Sequence, residues 1–228
     1  FKSSVISLKL VAMVKHWTQL GKNVSVICVR ENASYLRDSV YSQIKWALDM
    51  LSLYDEYKFY TSPLRIVHRR TGSTFYFYGA DDPMKLKSNV VGNVVAVWFE
   101  EAANFKGQTV FDQSIPTFIR QKPVFTNQVK VFFSYNPPKN PYDWINEWVK
   151  KCERDEDYFV DTSTYLDDEW GFTNDEQLKL IEKYKVNDPD YYRWLYLGEV
   201  VGLGTNVYNF ELFNRVEEIP DNDYLSDV

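Results

Sequence analysis

Between residues 3 and 20, Ile6, Leu10, Met13, Val14 and Trp17 recur at helical spacing, and Gly21 supplies a stop. Residues 24–29 then form a near-continuous apolar run, as a strand buried on both faces of a parallel sheet requires. Asn32 is placed to cap a second helix whose inner face is Leu36, Val40, Ile44, Leu48 and Leu51. Residues 64–68 and 74–78 flank Arg69-Arg70-Thr71-Gly72-Ser73 and read as a hairpin. A loop at 79–83 precedes the most apolar strand, 94–99, which runs straight into Glu100-Glu101. Residues 109–120 suit an irregular helix broken near Pro116, and 129–135 a further strand ending at Asn136-Pro137-Pro138. A helix over 142–154 and a strand over 158–162 complete an alternating series.

The pattern then changes. Thr173 is placed to cap a helix to about Tyr184, and Pro189 to open another to about Leu197, with Gly198 beyond. The expected organisation is an α/β core over 1–165, a small helical subdomain over 166–204 and a linker over 205–228. The fold class is α/β, a mostly parallel sheet flanked by helices.

Composition narrows the function. The 228 residues are 45% hydrophobic and 17% aromatic, enough for a real core and against disorder. A net charge of −6 excludes a compact basic histone-like module, though local basic stripes could still meet nucleic acid. No apolar run approaches the ~18 residues needed to cross a bilayer. Cys28 and Cys152, far apart, suggest neither a disulfide framework nor a zinc site, and point to a reducing compartment. With only two histidines, a multi-histidine metal centre is disfavoured. Both ends look like cuts through a longer polypeptide.

Three short patterns carry candidate chemistry. Lys2-Ser3 matches the last two positions of a phosphate-binding loop, where Lys reaches phosphate oxygens, the hydroxyl ligates Mg²⁺ and the helix N-terminus adds its dipole. On its own a Lys-Ser helix start is common; here an apolar helix and then a strand follow. Glu100-Glu101 resembles the acidic end of a Walker B strand, one carboxylate for Mg²⁺ and its neighbour for the attacking water. Two solvated acids at a strand end are the ordinary alternative, and Asp is the commoner first acid. Asn136, ending the next strand, would be a polar sensor of the γ-phosphate; its ordinary alternative is an Asx-Pro turn. The three features follow the order of an additional-strand (RecA-like) P-loop ATPase.

With these motifs in hand, the chain resembles the large terminase subunit of tailed bacteriophages, PBSX-like branch. The resemblance rests on Lys2-Ser3-Ser4, Arg30, the segment from Gly79 to Ser88, Val97-Trp98-Phe99-Glu100-Glu101-Ala102 and Ser134-Tyr135-Asn136-Pro137. It also takes in Ser163-Thr164-Tyr165, Asp188-Pro189-Asp190-Tyr191-Tyr192-Arg193 and Leu197-Gly198-Glu199, so that it covers residues 2 to about 202. In that family a Glu-Glu pair replaces Asp-Glu. The resemblance implies an ATP-driven motor that packs double-stranded DNA into a procapsid, with a nuclease domain beyond residue 228 and the Gly-rich part of the P-loop upstream of Phe1. It implies ATP and Mg²⁺ as cofactors, and as partners DNA, a portal protein, a small terminase subunit and further copies in a ring. The implied setting is the host cytoplasm, docked transiently on the procapsid, with no membrane.

By residue, the resemblance assigns nucleotide binding to Lys2, Ser3 and Ser4. Mg²⁺ falls to Ser3 and to Glu100 through water, water activation to Glu101, and sensing to Asn136. Arg120 is the first choice for a charge-stabilising arginine, with Arg69, Arg70 and Arg30 as further candidates, each more simply a structural cation. Lys85 and Lys87 are weak candidates for DNA contact. Two other functions stay open: a helicase- or repair-like P-loop ATPase, and a non-catalytic α/β binding module.

Overall fold

The computed structural model describes residues 2–81, 91–169 and 171–202. Helix α1 (Lys2–Gln19) leads to β1 (Ser25–Arg30), and an irregular helical stretch from residue 33 passes into α2 (Ser42–Met50). Strands β2 (Tyr57–Thr61), β3 (Leu64–His68), β4 (Thr74–Gly79) and β5 (Val94–Glu100) follow. Then come α3 (Gln108–Ile119), β6 (Lys130–Ser134), α4 (Trp144–Cys152), α5 (Asp175–Asn187) and α6 (Pro189–Leu197).

The six strands form one sheet in the order β2-β3-β4-β1-β5-β6. From β4 to β6 all neighbours are parallel, while β3 pairs antiparallel with both β2 and β4. Side chains alternate across the strands. Val26, Cys28, Ala96 and Trp98 pack on one face with Leu10 and Val14 of α1 and Ile44 and Leu48 of α2. Ile27, Val29, Val97 and Phe99 pack on the other with Phe111 and Phe118 of α3 and Ile145 and Trp148 of α4. Covered on both faces, β5 is buried along its whole length, which is why its sequence is a continuous apolar run rather than an alternating one.

The parallel register collects four strand ends at one edge of the sheet. Arg30 pairs with Gly79, and Glu100 pairs with Ser134. Gly79 is required there: a Cβ would lie 2.6 Å from the Ala33 backbone nitrogen and would also collide with the Asp81 carboxylate.

The structure corrects several expectations of detail. Strand β2 is additional; its run Tyr57-Lys58-Phe59-Tyr60-Thr61 is β-forming and finds its ladder on β3. Residues 158–162 form no strand; they lie exposed, and aromatic or β-branched residues become a strand only where a neighbour offers a ladder. Pro116 does not break α3, because the Asp112 carbonyl it leaves without its helical donor is on an exposed turn. Asn32 makes no side-chain cap, and the stretch after it winds through 3₁₀ and π turns in which Ser39 and Ser42 donate to the carbonyls of Tyr35 and Arg37. The cap of α5 is Asn174 rather than Thr173, reciprocated by Gln177 in a capping box, and the helix extends to Asn187. The linker expected over 205–228 lies outside the described residues. Among the described residues no helix is long and apolar enough to cross a membrane.

Candidate nucleotide site at the carboxyl edge of the sheet

Lys2 opens α1, and its ammonium donates to the Asn136 side-chain carbonyl at 2.7 Å, joining residues 134 positions apart. Two strand ends away, the Arg30 guanidinium meets the Glu100 carboxylate at 2.5 Å, and Ser3 favours the charged form of that same carboxylate. Glu101 acts electrostatically on both Lys2 and Glu100. Lys2, Ser3, Glu100, Glu101 and Asn136 therefore converge on one edge, as the order of motifs implied.

Burial shapes their charges. Glu100 is only 7% exposed, and desolvation pushes its carboxyl above the usual range. Arg30 pulls in the opposite direction and the Glu101 charge pushes up again. Burial lowers the Lys2 ammonium, while Glu101 restores part of its preference for the charged form. Lys2, Arg30 and Glu101 are half-buried beside the buried Glu100, so this edge gathers opposite charges that are only partly hydrated.

The backbone at Glu101 is unusual for its residue type. It takes φ 54°, ψ 52°, the left-handed region, between the end of β5 and a 3₁₀ turn over Ala102–Asn104. Such a conformation costs a non-glycine residue about 1–2 kcal/mol. It turns the chain sharply, so that Glu101 leaves the strand instead of extending it. Behind the pair, the Trp98 indole donates to the Ser134 hydroxyl at 2.9 Å and fixes β5 against β6.

The other sequence candidates fall elsewhere. Ser4 lines a shallow pocket with Gln43, Trp46 and Phe172 and does not join the carboxylates. Arg120 lies at the opposite edge, since α3 runs back along β5 and Gln121 accepts from the amide of Val94, the first residue of β5. Its guanidinium donates to Thr117 at 3.3 Å. Arg69 and Arg70 lie at that far edge too, donating to the carbonyls of Asp55 and Thr18. Of the four arginines considered, Arg30 is the one at the candidate site; its sequence signal was its place directly after an apolar strand. Glu31 was missed. It follows Arg30, has a buried carboxylate oxygen without a hydrogen-bond partner, and is pushed up by burial, partly opposed by Lys106. Lys85 and Lys87 lie outside the described residues.

A family model described as phage terminase large subunit matches residues 1–199. This chain belongs to that family. A curated relative, the terminase large subunit of Bacillus phage SPP1, is 31% identical over 183 residues, covering 79% of this chain and 43% of that protein. Among solved structures, the large terminase from a thermophilic bacteriophage superposes with a TM-score of 0.60 at 18% identity, over 88% of this chain and 46% of that one. The large terminase ATPase domain of Thermus phage P74-26 gives a TM-score of 0.53 at 15% identity, over 79% and 78%. This chain thus has the fold of the terminase ATPase domain, and it spans less than half the length of the SPP1 protein and of the thermophilic-phage terminase.

Proposed function

We propose that this chain is the ATPase motor of a terminase large subunit, coupling ATP hydrolysis to translocation of double-stranded viral DNA into a procapsid. The observation that carries this reading is the convergence of Lys2, Ser3, Glu100, Glu101 and Asn136 at the carboxyl edge, where parallel α/β sheets bind ligands. The thermophilic-phage large terminase has been captured with ATP-gamma-S, which supports a nucleotide at the corresponding place here.

In this reading Lys2 leaves Asn136 for the β- and γ-phosphate oxygens, at the N-terminus of an 18-residue helix whose dipole favours the same charge. Freed by that step, the Asn136 amide meets the terminal phosphate. The Ser3 hydroxyl and Glu100 carboxylate are hard oxygen donors at the same edge, a set that fits Mg²⁺. When bound, Mg²⁺ neutralises charge that builds on the phosphate oxygens. Arg30 holds Glu100 ionised and oriented. Glu101, turned out of the strand, orients a water and takes its proton. The expected partners are duplex DNA, a portal protein, a small terminase subunit and further copies of the chain in a ring, and the nuclease is expected in the remainder of the full-length protein.

The test uses the full-length protein. It should bind ATP with Mg²⁺ in calorimetry and hydrolyse it faster in the presence of procapsids and duplex DNA. Absence of nucleotide affinity would leave a non-catalytic α/β module. Turnover stimulated by single strands, with unwinding and no packaging, would favour the helicase-like alternative.

A further inference from the structure

The chain leaves β6 through Asn136-Pro137-Pro138-Lys139-Asn140, and this loop is held in an unusual way. Neither proline has an N–H, so the loop is secured through its carbonyls. The Pro138 and Asn140 carbonyls accept from the Asn146 amide of α4 at 3.0 and 2.8 Å. Two more carbonyls are held by residues that follow α5. The Trp194 indole N–H of α6 donates to Pro137 at 2.7 Å, and the Gly202 amide donates to Lys139 at 2.9 Å.

Further contacts fasten the same junction. The Lys139 ammonium sits over the rings of Trp194 and Tyr191, 4.6 and 5.2 Å from their centroids. Gly198, which ends α6 in the left-handed conformation, brings the helix end against the Pro137 ring, where a Cβ would stand 3.9 Å from Cγ. Through Tyr191 and Tyr196, α6 in turn packs on Tyr184 of α5.

We propose that Trp194 is a positioning residue for Asn136. By holding the Pro137 carbonyl it sets where the Asn136 amide stands relative to Lys2, and it makes the helical pair α5–α6 part of the nucleotide response. The lever is short and stiff. Pro137 is bonded directly to Asn136, its own φ is fixed, and a residue before proline is confined to extended backbone. A shift of the Trp194 indole therefore reaches Asn136 with little slack, and a shift of Asn136 toward phosphate pulls on α6.

This inference rests on the ATPase reading above, so its test carries controls for that reading. In the full-length protein, Trp194→Phe keeps an aromatic ring for Lys139 but removes the N–H. Loss of one hydrogen bond should lower kcat by about 3- to 10-fold while leaving KM for ATP and Tm close to wild type. Asn136→Ala should lower kcat further, and adding Trp194→Phe to it should change nothing more, because both act through one group. An unchanged kcat in Trp194→Phe, or losses that add in full, would overturn the proposal. Should Trp194→Phe fold poorly, ¹⁹F resonances of fluorotryptophan-labelled protein give a second reading. The signal assigned to Trp194 should shift on adding ATP-gamma-S, and that shift should vanish in Asn136→Ala; a shift that persists there overturns the proposal. Lys2→Ala and Glu101→Gln run alongside. If both turn over normally, the ATPase reading fails and takes this inference with it; if both are impaired while Trp194→Phe is normal, the positioning role alone fails.

Discussion

The two edges of the sheet handle arginine and glutamate very differently. At the amino edge Arg69, Arg70 and Arg120 donate to backbone carbonyls and a threonine hydroxyl and are themselves exposed, so their charge stays in water. At the carboxyl edge Arg30 faces a buried carboxylate, Lys2 faces an amide across the chain, and Glu101 holds a left-handed backbone. Stability alone explains the first edge. The second accumulates desolvated charge and strain, costs that persist where they serve a ligand. The difference separates arginines that bond to neutral groups from one that is paired with a buried carboxylate, without any motif.

The strongest way to break the comparison is at Glu101. Glu101→Gln preserves size and leaves the phosphate contacts alone, so nucleotide affinity should stay near wild type while hydrolysis falls by ~10²-fold or more, the usual worth of a positioned base. Near-normal turnover, measured by phosphate release, would end the assignment of Glu101 as the group that activates water. Next in size, Lys2→Ala removes a direct charge partner of the phosphates, and calorimetry should show ATP binding weakened by about 10- to 100-fold.

Arg30→Ala and Arg120→Ala compare the edges directly. Without Arg30, Glu100 is a buried anion with no cation on it, and unfolding should show a loss of roughly 2–3 kcal/mol at neutral pH. Its sign with pH follows from the raised carboxyl. Arg30 holds the folded pKa down, so removing it lifts that pKa further, and the penalty exists only while Glu100 is ionised. The loss should therefore shrink as pH falls through the raised value and Glu100 takes up a proton. Arg120→Ala, exposed at the far edge, should change stability by less than about 0.5 kcal/mol with no such pH dependence. Equal losses with equal pH profiles would erase the distinction.

Much of this architecture could be read from residues because local and global preferences agree. β1, β5 and β6 announce themselves as apolar runs, and α6 carries both Pro189 at its start and Gly198 past its end. Where they disagree, sequence reading failed: β2 depends on β3 for its ladder, and 158–162 has strand-like residues but no neighbour. The site followed the same rule. Lys2, Ser3, the glutamate pair and Asn136 stood at element ends, where a parallel sheet gathers groups regardless of sequence separation. Choosing Arg30 over Arg120 required knowing which way α3 returns, a tertiary fact. Glu101's left-handed backbone and the hold of Trp194 on Pro137 have no local signature at all.

The left-handed turn at Glu101 also bears on how this domain drifts under mutation. Glycine would sit there without the steric cost, so the fold by itself favours losing the side chain to which the proposed chemistry is assigned. Random substitution screened only for soluble, folded protein would enrich glycine and asparagine at 101 and discard valine or isoleucine, whose branched Cβ is worst in that region. The survivors would be well-folded, nucleotide-binding and inert. If Glu101 activates water as proposed, selection for activity is what keeps a glutamate in this position, and solubility or thermal stability of a variant says nothing about turnover.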